Sequence, residues 1–475
     1  MTPNLYSTSD PKFAAHLIKD TILRLNSCTH TAQEIVFSFE DPHASGAMLF
    51  EQFVKGEKPE TLTRAGMVLV DGFIETTANG RYLIWRNNVA DYRQSWPLER
   101  AKVSVPPNHI LIDERVVLLP DEPLRYGTQQ ELFQDVVSII HRYIDVPEAW
   151  EKLIAGYVML SWVFDGFRSV PYLRFLGEYG TGKTRMLEVA RELCYRAIMT
   201  NGASSTASIF RILDQWRGTL ALDEGDFRNS AEWSDIIKIL NAGYKANSPV
   251  LRAEGKTFNP TPFHVYGPKI LSNRDRFQDE ALESRCLTFE TTSKQMRKDV
   301  PLELTPAFFT EARALRNKLL AWRFDTWRVL VAKDTNIDGV ELRLNQILSP
   351  LYVIAPNDEF RAQLLEFAKQ YGLEQRQRRP QVIVLEAMRA ILIDRRKMQT
   401  EKSVIPLKSI VEKADLICAE MGLARDSEHK ELLKPKEVCS LIRSMGLEIK
   451  RYGQGRVWVV DEVALAEQCC SFGLE

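Results

Sequence analysis

The chain of 475 residues is predicted to be an α/β protein with a parallel-sheet core, helical flanking regions, a mixed N-terminal domain and a C-terminal winged helix. Three observations favour this fold. Between Val170 and Thr291, short apolar strands alternate with helical segments, which is typical of βα units and a parallel sheet. A glycine-rich loop follows the first of these strands, and beyond residue 380 helical segments lead into a basic hairpin.

The composition excludes several classes of protein. Hydrophobic residues make up 45% of the chain and charged residues 26%, so it can bury several cores and is neither disordered nor collagen-like. The longest apolar stretch, Leu153–Phe164, is too short to span a membrane. The N-terminus resembles no secretory signal, and the seven cysteines form no CxxC pair. These features predict a cytoplasmic protein with no membrane partner.

The N-terminal part, residues 1–120, is predicted to be a mixed α/β domain of unknown role. Local patterns predict one helix and three strands, at Asp10–Asn26, Ile35–Phe39, Gly66–Val70 and Tyr82–Trp85. The proline-punctuated stretch Pro97–Asp121 is predicted to be a connector. No paired-Asp polymerase motif or zinc-ligand set occurs in residues 1–120, so a primase is not predicted. Residues 121–165 follow as a helical collar or linker.

The strongest motif is a phosphate-binding loop of the form G-x-x-x-x-G-K-[ST], between an apolar strand at Tyr172–Leu176 and a helix at Thr184–Leu193. Glycines let backbone N–H groups close around phosphates, and a helix N-terminus favours an anion. We expect Lys183 to reach the β- and γ-phosphates and Thr184 to complete a Mg²⁺ shell. The predicted nucleotide-binding residues are Gly177, Glu178, Tyr179, Gly180, Thr181, Gly182, Lys183 and Thr184.

Two adjacent acids end the apolar strand Thr219–Leu222. Asp223 is expected to hold Mg²⁺ through water, and Glu224 to polarise the attacking water as general base. An Asp-Glu pair after a strand commonly has no function beyond forming part of a polar loop. About forty residues after a phosphate-binding loop, however, it favours hydrolysis of ATP with Mg²⁺ as the cofactor.

Six segments in order resemble one family: GEYGTGKT, SSTASIFRIL, TLALDEGD, LNAGY, GPKILSN and LESR. They resemble the AAA+ helicase-type ATPases of mobile genetic elements and phages, which are related to superfamily-3 and minichromosome-maintenance-like hexameric helicases. The resemblance covers roughly Gln129–Leu319. It implies an AAA+ (ASCE) core at residues 166–305, a hexameric ring, ATP at subunit interfaces and DNA in the central pore.

The same resemblance assigns roles to two residues at strand ends. Asn273 ends the strand Pro268–Ser272, where this type of ATPase carries a sensor that orients the lytic water; the alternative is a strand cap. Arg285 precedes the strand Cys286–Phe289 and is either a surface charge or an arginine finger for the neighbouring subunit, which the preceding motifs favour. A second sensor arginine is not placed, with Arg313 and Arg316 as candidates.

A β-hairpin is predicted within Ser248–Phe258, where Val250–Arg252 and Lys256–Phe258 would pair. In the resembled helicases, a hairpin at this location projects basic side chains into the pore. The alternative is a solvated surface hairpin. The resemblance implies contacts with single-stranded DNA for Lys245, Arg252 and Lys256.

After a helical lid and linker at residues 306–379, the C-terminal part, residues 380–475, is predicted to be a winged helix that binds duplex DNA or, alternatively, only protein. From Arg376 to Val460 there are 18 basic and 11 acidic residues, a net charge of +7, which leaves −8 for the rest of a chain of net charge −1. A basic tail on an acidic body indicates a polyanionic partner. The predicted contacts are Lys434, Lys436, Arg443, Lys450, Arg451 and Arg456.

Together these features predict an ATP-dependent DNA helicase or translocase, acting as a homo-oligomeric ring in replication of a mobile element or phage, with replication proteins as possible partners. The alternative is a nucleotide-switched, DNA-binding replication initiator or loader with little unwinding activity. A small-molecule P-loop kinase is a weaker reading, because it has no use for Arg285, Asn273 or a basic winged helix.

Overall fold

The computed structural model describes residues 60–98, 102–107, 110–223, 231–254, 259–277, 279–291, 296–330, 336–338, 340–397, 403–421, 433–453, 455–472 and 474. The chain divides into two compact units, with the boundary between Leu364 and Leu365. The helix predicted at Asp10–Asn26 and the strand predicted at Ile35–Phe39 lie outside the described residues. Within the described ranges, no helix is long and apolar enough to cross a lipid bilayer.

In the described part of the first unit, seven short strands come first and form two small sheets. One sheet has the order β1-β7-β6, and the other is an antiparallel meander in the order β2-β3-β4-β5. The strands are β1 Glu60–Thr63, β2 Gly66–Val68, β3 Gly72–Thr76, β4 Tyr82–Arg86, β5 Val89–Arg93, β6 Trp96–Leu98 and β7 Lys102–Val105.

The prediction of a connector at Pro97–Asp121 is wrong. This stretch contains most of β6, all of β7, a short helix α1 (Ile110–Asp113) and a strand β8 (Val117–Leu118). Pro97 lies in β6, at the edge of its sheet. A proline is tolerated there because its missing N–H costs no ladder hydrogen bond on the outer side.

A six-stranded sheet forms the centre of the first unit, in the order β15-β9-β14-β11-β10-β8. The first five strands are parallel, and β8 pairs antiparallel with β10. All five residues of β9 and of β14 are buried, as expected for strands covered on both faces. The new strands are β9 Tyr172–Leu176, β10 Ala197–Asn201, β11 Leu220–Asp223, β14 Lys269–Asn273 and β15 Cys286–Glu290, with a separate hairpin of β12 Val250–Glu254 and β13 Asn259–Phe263.

Helices accompany this sheet along the chain. Helix α2 starts with a capping box, in which Thr128 and Glu131 satisfy each other's backbone N–H groups. Helix α3 is buried on almost all sides, which explains its continuous apolar sequence. The helices are α2 Gln129–Tyr143, α3 Glu148–Val163, α4 Lys183–Leu193, α5 Thr206–Trp216, α6 Ala231–Ala242, α7 Glu280–Glu283, α8 Pro306–Leu330, α9 Leu342–Val353 and α10 Asp358–Gln377.

A buried ionic cluster joins the N-terminal meander to the core. Glu75 on β3 is 2% exposed and accepts hydrogen bonds from Tyr195 Oη (2.7 and 2.8 Å) and Arg323 Nε (3.1 Å), and one from Arg196 Nη2. Arg323 also forms a two-bond ion pair with Asp165, at 2.7 Å for each bond. The meander is therefore held to the core by charges that are excluded from water.

Lys269, the first residue of β14, is fully buried. Its Nζ donates to the carbonyl oxygens of Val265 (2.9 Å) and Gly267 (2.7 Å) and lies 5.2 Å from the ring centroid of Tyr172. No carboxylate among the described residues forms an ion pair with it. Burial lowers the pKa of Lys269 to about 7.

We expect the stability of the wild-type chain, relative to Lys269→Met, to rise with pH above about 7. The unfolded lysine keeps its proton up to a pKa of 10.5, whereas the folded one loses it above about 7. The unfolded state therefore binds more protons in this window, and the limiting slope is about 1.4 kcal/mol per pH unit. Urea unfolding of both variants near pH 6.5 and pH 9 measures the effect. An identical pH dependence of the two variants would contradict the prediction.

The second unit has the order helix, strand, helix, helix, strand, strand, helix. Its three strands form an antiparallel sheet in the order β16-β18-β17, and Trp458 on β18 is fully buried in the core of this unit. The elements are α11 Pro380–Lys397, β16 Val404–Pro406, α12 Leu407–Glu420, α13 Pro435–Ser444, β17 Ile449–Tyr452, β18 Gly455–Val459 and α14 Glu462–Ser471.

Candidate nucleotide-binding site

The predicted phosphate-binding loop connects the end of β9 to the start of α4. Gly180 and Gly182 have positive φ values of 78° and 86°, which glycine adopts without steric cost. A Cβ atom at either position would meet no other atom within 4 Å, so the space around the loop backbone is open. Lys183 begins the helix, and its Nζ donates to Glu178 O at 2.7 Å, across the loop. The open backbone and the helix N-terminus together suit a phosphate group.

The loop is supported by Thr291, a residue that sequence analysis missed. Thr291 Oγ1 lies 2.6 Å from Thr181 Oγ1 and donates to Leu176 O at 3.0 Å. A Cβ atom on Gly177 would lie only 2.1 Å from Thr291 Oγ1, so this close approach requires glycine at the start of the loop. The only sequence signal is that Thr291 directly follows the strand β15, which pairs with β9.

Oxygen ligands suitable for Mg²⁺ meet beside the loop. Thr184 Oγ1 donates to Asp223 Oδ2 at 3.3 Å, which links the start of α4 to the end of β11. Mg²⁺ in phosphate sites uses one or two such protein oxygens, together with water and substrate phosphates. Among the described residues, no cluster of three His, Cys, Asp or Glu could hold a metal by itself. Burial raises the pKa of the nearby Glu188 carboxyl, although the charges of Arg185 and Arg191 oppose the shift.

Asn273 lies next to the phosphate-binding loop. Its strand, β14, is inserted between β9 and β11, so its carboxyl end lies between those of the loop strand and the acidic strand. The backbone oxygen of Asn273 accepts from Gly177 N at 3.1 Å, and the residue is 4% exposed. The structure therefore brings Gly177, Asn273 and Asp223 to one edge of the sheet. Glu224, the predicted general base, lies outside the described residues.

Arg285 lies at the opposite edge of the same sheet. It precedes β15, whose first residue pairs with Tyr172 and whose last pairs with Leu176, directly before the loop. Four steps along a strand separate these ends by about 13 Å. Arg285 Nη1 donates to Asn241 O (2.9 Å) and Asn241 Oδ1 (2.5 Å). The structure thus places Arg285 away from the phosphate-binding loop of its own chain.

The candidate arginines for a second sensor lie at the far end of α4. Arg316 is 4% exposed and pairs with Glu192 at 3.2 Å, while Arg313 forms an ion pair with Asp121. Burial, opposed by the charge of Glu192, lowers the pKa of Arg316 to about 10. Glu192 is almost the last residue of the helix that Lys183 begins, so neither pair is near the start of that helix.

The hairpin after α6 is present, but its predicted register is wrong. Its second strand is Asn259–Phe263 instead of Lys256–Phe258, with Val250 paired to Phe263 and Arg252 to Thr261. Pro260 and Pro262 lie within this second strand. Because the two prolines are two residues apart, their backbone nitrogens face the same side of the strand. That side is unpaired, so the missing N–H groups cost no hydrogen bond.

The cations predicted on this hairpin have different positions. Lys245 is exposed, just before β12. Arg252 lies against the helices, with Nη2 3.5 Å from Asp235 Oδ2 and its guanidinium carbon 5.3 Å from the Phe210 ring centroid. Lys256 lies outside the described residues. Arg252 is therefore already engaged within its own chain.

In the second unit, the six predicted cations lie on α13, its N-cap and the β17–β18 hairpin. All six are exposed. Arg451 and Arg456 are directly opposite each other across the hairpin, an arrangement of like charges that destabilises a sheet. Lys450 pairs with Glu448 at 3.1 Å. Among the described residues no carboxylate forms an ion pair with the other five, which are Lys434, Lys436, Arg443, Arg451 and Arg456.

No model of a known protein family matches the chain, and no curated protein matches it. The NrS-1 C-terminal region (A form, apo) is 11% identical, with a TM-score of 0.34, over 86% of this chain and 97% of that one. The SCCmec type IV Cch active helicase is 9% identical, with a TM-score of 0.40, over 87% and 83%. An inhibitor-bound JCV helicase is 12% identical, with a TM-score of 0.23, over 51% and 61%.

The fold is a mixed α/β fold with a parallel sheet and flanking helices. Two of these three solved structures are described as helicases. The function proposed below rests on the geometry of this chain's own residues.

Proposed function

We propose that the chain is an ATP-dependent DNA helicase or translocase of the AAA+ type, which works as a hexameric ring. The observation that carries the proposal is the division of the site between two sheet edges. Lys183, Thr184, Asp223 and Asn273 meet at one edge, and Arg285 lies at the other. A site of this kind is complete only when a neighbouring copy supplies its arginine.

The sheet edge next to the phosphate-binding loop, called the loop edge below, carries side chains that suit hydrolysis of ATP. Thr184 and Asp223 would hold Mg²⁺, which when bound would neutralise negative charge as it develops on the phosphates. In this proposal, the amide of Asn273 orients the attacking water. Glu224 accepts the proton of that water. Arg285 of the adjacent copy would then stabilise charge on the terminal phosphate oxygens.

The second unit supports DNA as the partner. From α11 to β18, the order of its elements suits a winged helix, with α13 as the helix that enters a groove and the hairpin β17–β18 as the wing. Five exposed cations that form no ion pair with any described carboxylate suit the phosphates of duplex DNA, which release counterions on binding. Replication of a mobile element or phage, in the cytoplasm and alongside replication proteins, is the proposed setting.

Steady-state ATP hydrolysis, with and without single-stranded DNA, tests the proposal. We expect DNA to stimulate hydrolysis, ATP to promote ring assembly measured by mass in solution, and a fluorescent forked duplex to be unwound. Lys183→Ala and Glu224→Gln should abolish turnover, and Glu224→Gln should still bind ATP. ATP hydrolysis by a monomer that ignores DNA, or phosphorylation of a metabolite, would contradict the proposal.

A second candidate is a nucleotide-switched initiator or loader. It is favoured by the position of Arg252, which contacts Asp235 and Phe210 instead of standing free on the hairpin. Among the described residues, five of the six predicted cations of the second unit form no ion pair with a carboxylate, and the sixth, Lys450, pairs with Glu448. DNA contacts would then be concentrated on the second unit. ATP-dependent binding of duplex without strand separation, unaffected by Lys256→Ala, would favour this candidate over the motor.

Removing the opposed arginines of the wing is expected to weaken DNA binding uniformly across sequences. For Arg451→Ala/Arg456→Ala, the slope of log K against log salt should fall in magnitude by about two, since each arginine neutralises one phosphate. Fluorescence anisotropy with two unrelated duplexes at several salt concentrations measures this change. Lys408→Ala/Lys413→Ala is a matched control with the same loss of charge, because these lysines pair with Glu412 and Asp394. An equal loss in both double variants would contradict a specific role for the wing.

A further inference from the structure

Two arginines share one buried tyrosine at the sheet edge opposite the phosphate-binding loop. The guanidinium carbon of Arg285 lies 5.0 Å from the ring centroid of Tyr244, and that of Arg343, on α9, lies 5.2 Å from it. Tyr244 itself is 1% exposed, and its Oη has no hydrogen-bond partner among the described residues. The ring therefore serves as an apolar and π-electron surface for two cations.

Each of these arginines is oriented by neutral groups. Arg285 Nη1 donates to both oxygens of Asn241, whose Nδ2 donates to Asp279 Oδ2 at 2.7 Å. Arg343 Nε donates to Ser284 Oγ at 3.0 Å, and Nη1 donates to Gln346 Oε1 at 3.1 Å. The hydrogen bond to Ser284 places Arg343 beside the residue that directly precedes Arg285.

The two guanidinium charges are left without ion pairs. Among the described residues, no carboxylate forms an ion pair with Arg285 or Arg343. Two nearby arginines differ in this respect, since Arg174 and Arg276 both pair with Glu283, at 2.5 and 2.6 Å. Like charges on one ring repel each other unless an anion lies near both. The arrangement thus favours an anion with several oxygens, for which arginine is well suited.

The anion cannot be a phosphate in this chain's own loop, which follows the other end of β9. The surface around the arginines is nevertheless open to another molecule, because Leu342, next to Arg343, is 76% exposed and Ser284 is also exposed. An exposed leucine beside two unpaired arginines is suited to a face that is covered on assembly.

We propose that Arg343 joins Arg285 as a second cation that each copy of the chain offers to the terminal phosphate of ATP in the adjacent copy, and that Tyr244 is the positioning residue for both. The inference rests on the proposed function and names a residue that completes the same site. Arg343 then stabilises charge that grows in the transition state, so its removal lowers the turnover number more than it raises KM.

Mixed oligomers test this assignment, because Lys183 acts within its own chain and Arg343 acts on the next. We expect Arg343→Ala alone to lower kcat about 10²-fold and Arg343→Lys to lower it less, as for loss of one charge-stabilising donor. Co-expression of Arg343→Ala with Lys183→Ala, under two affinity tags, should restore activity. With random mixing, about a quarter of the interfaces combine an intact loop with an intact Arg343.

Arg361→Ala is the matched control. Arg361 also lies over a tyrosine, with its guanidinium carbon 5.7 Å from the Tyr352 ring centroid, but it pairs with Asp358 at 2.5 Å. We expect its kcat to equal that of the wild type. Co-expression of Arg285→Ala with Lys183→Ala should also restore activity, and this recovery would show that the subunits mix.

Three results would overturn the inference in distinguishable ways. An unchanged kcat in Arg343→Ala would remove Arg343 from the site while the proposed function stands. Recovery in the Arg285 mixture without recovery in the Arg343 mixture would make the role of Arg343 structural. Failure of the wild-type chain to hydrolyse ATP would overturn the proposed function itself, and the inference with it.

Discussion

Replacing Arg285 with alanine is expected to lower the rate of ATP turnover about 10³-fold or more, with little change in ATP binding. In the proposed site, the nucleotide binds to the loop after β9, whereas Arg285 is held at the other end of the sheet by Asn241 and Tyr244. The variant therefore retains every group that binds ATP within one chain. It loses the cation that the neighbouring chain would place against the terminal phosphate as its charge develops.

Turnover and binding must be measured separately to check this expectation. Steady-state hydrolysis gives kcat, and titration with a fluorescent ATP analogue gives affinity in the absence of turnover. In the wild type, the rate per chain should also rise with protein concentration, because the site forms only on assembly. Arg142→Ala is a suitable control, since Arg142 lies over the Tyr143 ring at 5.7 Å and pairs with Glu311. Wild-type turnover by a monomeric Arg285→Ala variant would rule out the shared site.

The elements of the loop edge could be predicted from sequence because each is local. The phosphate-binding loop, the acidic strand end and Asn273 are short segments with fixed chemistry, and a parallel sheet brings their strand ends together. The structure places Thr184 beside Asp223 and Gly177 beside Asn273, as that reasoning requires. Their catalytic roles stay predictions.

Contacts between distant segments could not be predicted in this way. Arg285 depends on Asn241, 44 residues away, and Thr181 is supported by Thr291, 110 residues away. No periodicity or motif in the sequence links such pairs. The second strand of the hairpin was also misplaced, because the sequence does not show which residues pair with Val250–Glu254. Pro260 and Pro262 fit a strand because their two-residue spacing puts both on the unpaired side, which only the pairing partner reveals.

The N-terminal region gives the clearest example of this limit. In the sequence, residues 1–120 carry no recognisable chemistry. In the structure, however, Glu75 is buried against Tyr195 and Arg323, which lie 120 and 248 residues further along the chain. In a single sequence, an acid on a short strand is most simply a solvated residue. Its partners become apparent only when β3 packs against the core.

Replacing Glu75 with alanine is expected to lower the free energy of unfolding by about 3–5 kcal/mol, as is usual when one member of a buried ion pair is removed. Arg196 and Arg323 would remain in the interior, 5% and 2% exposed, with less negative charge to compensate them. Asp165 cannot substitute for Glu75. Burial alone would raise the pKa of Asp165, but the charge and hydrogen bonds of Arg323 lower it, so this carboxylate is already ionised and engaged.

Urea unfolding monitored by tryptophan fluorescence measures this loss, with Glu75→Gln and Asp91→Ala as comparisons. Glu75→Gln keeps a side-chain oxygen for Tyr195 or Arg323 but removes the charge, so we expect an intermediate loss. Asp91 pairs with Arg93 on β5, where the two side chains are 48% and 41% exposed, and its removal should change the free energy by less than about 1 kcal/mol. Equal, small losses for Glu75→Ala and Asp91→Ala would contradict a buried cluster. A large loss for Glu75→Ala alone would establish that the meander and the core unfold together, because the charges they share are stable only when both are folded.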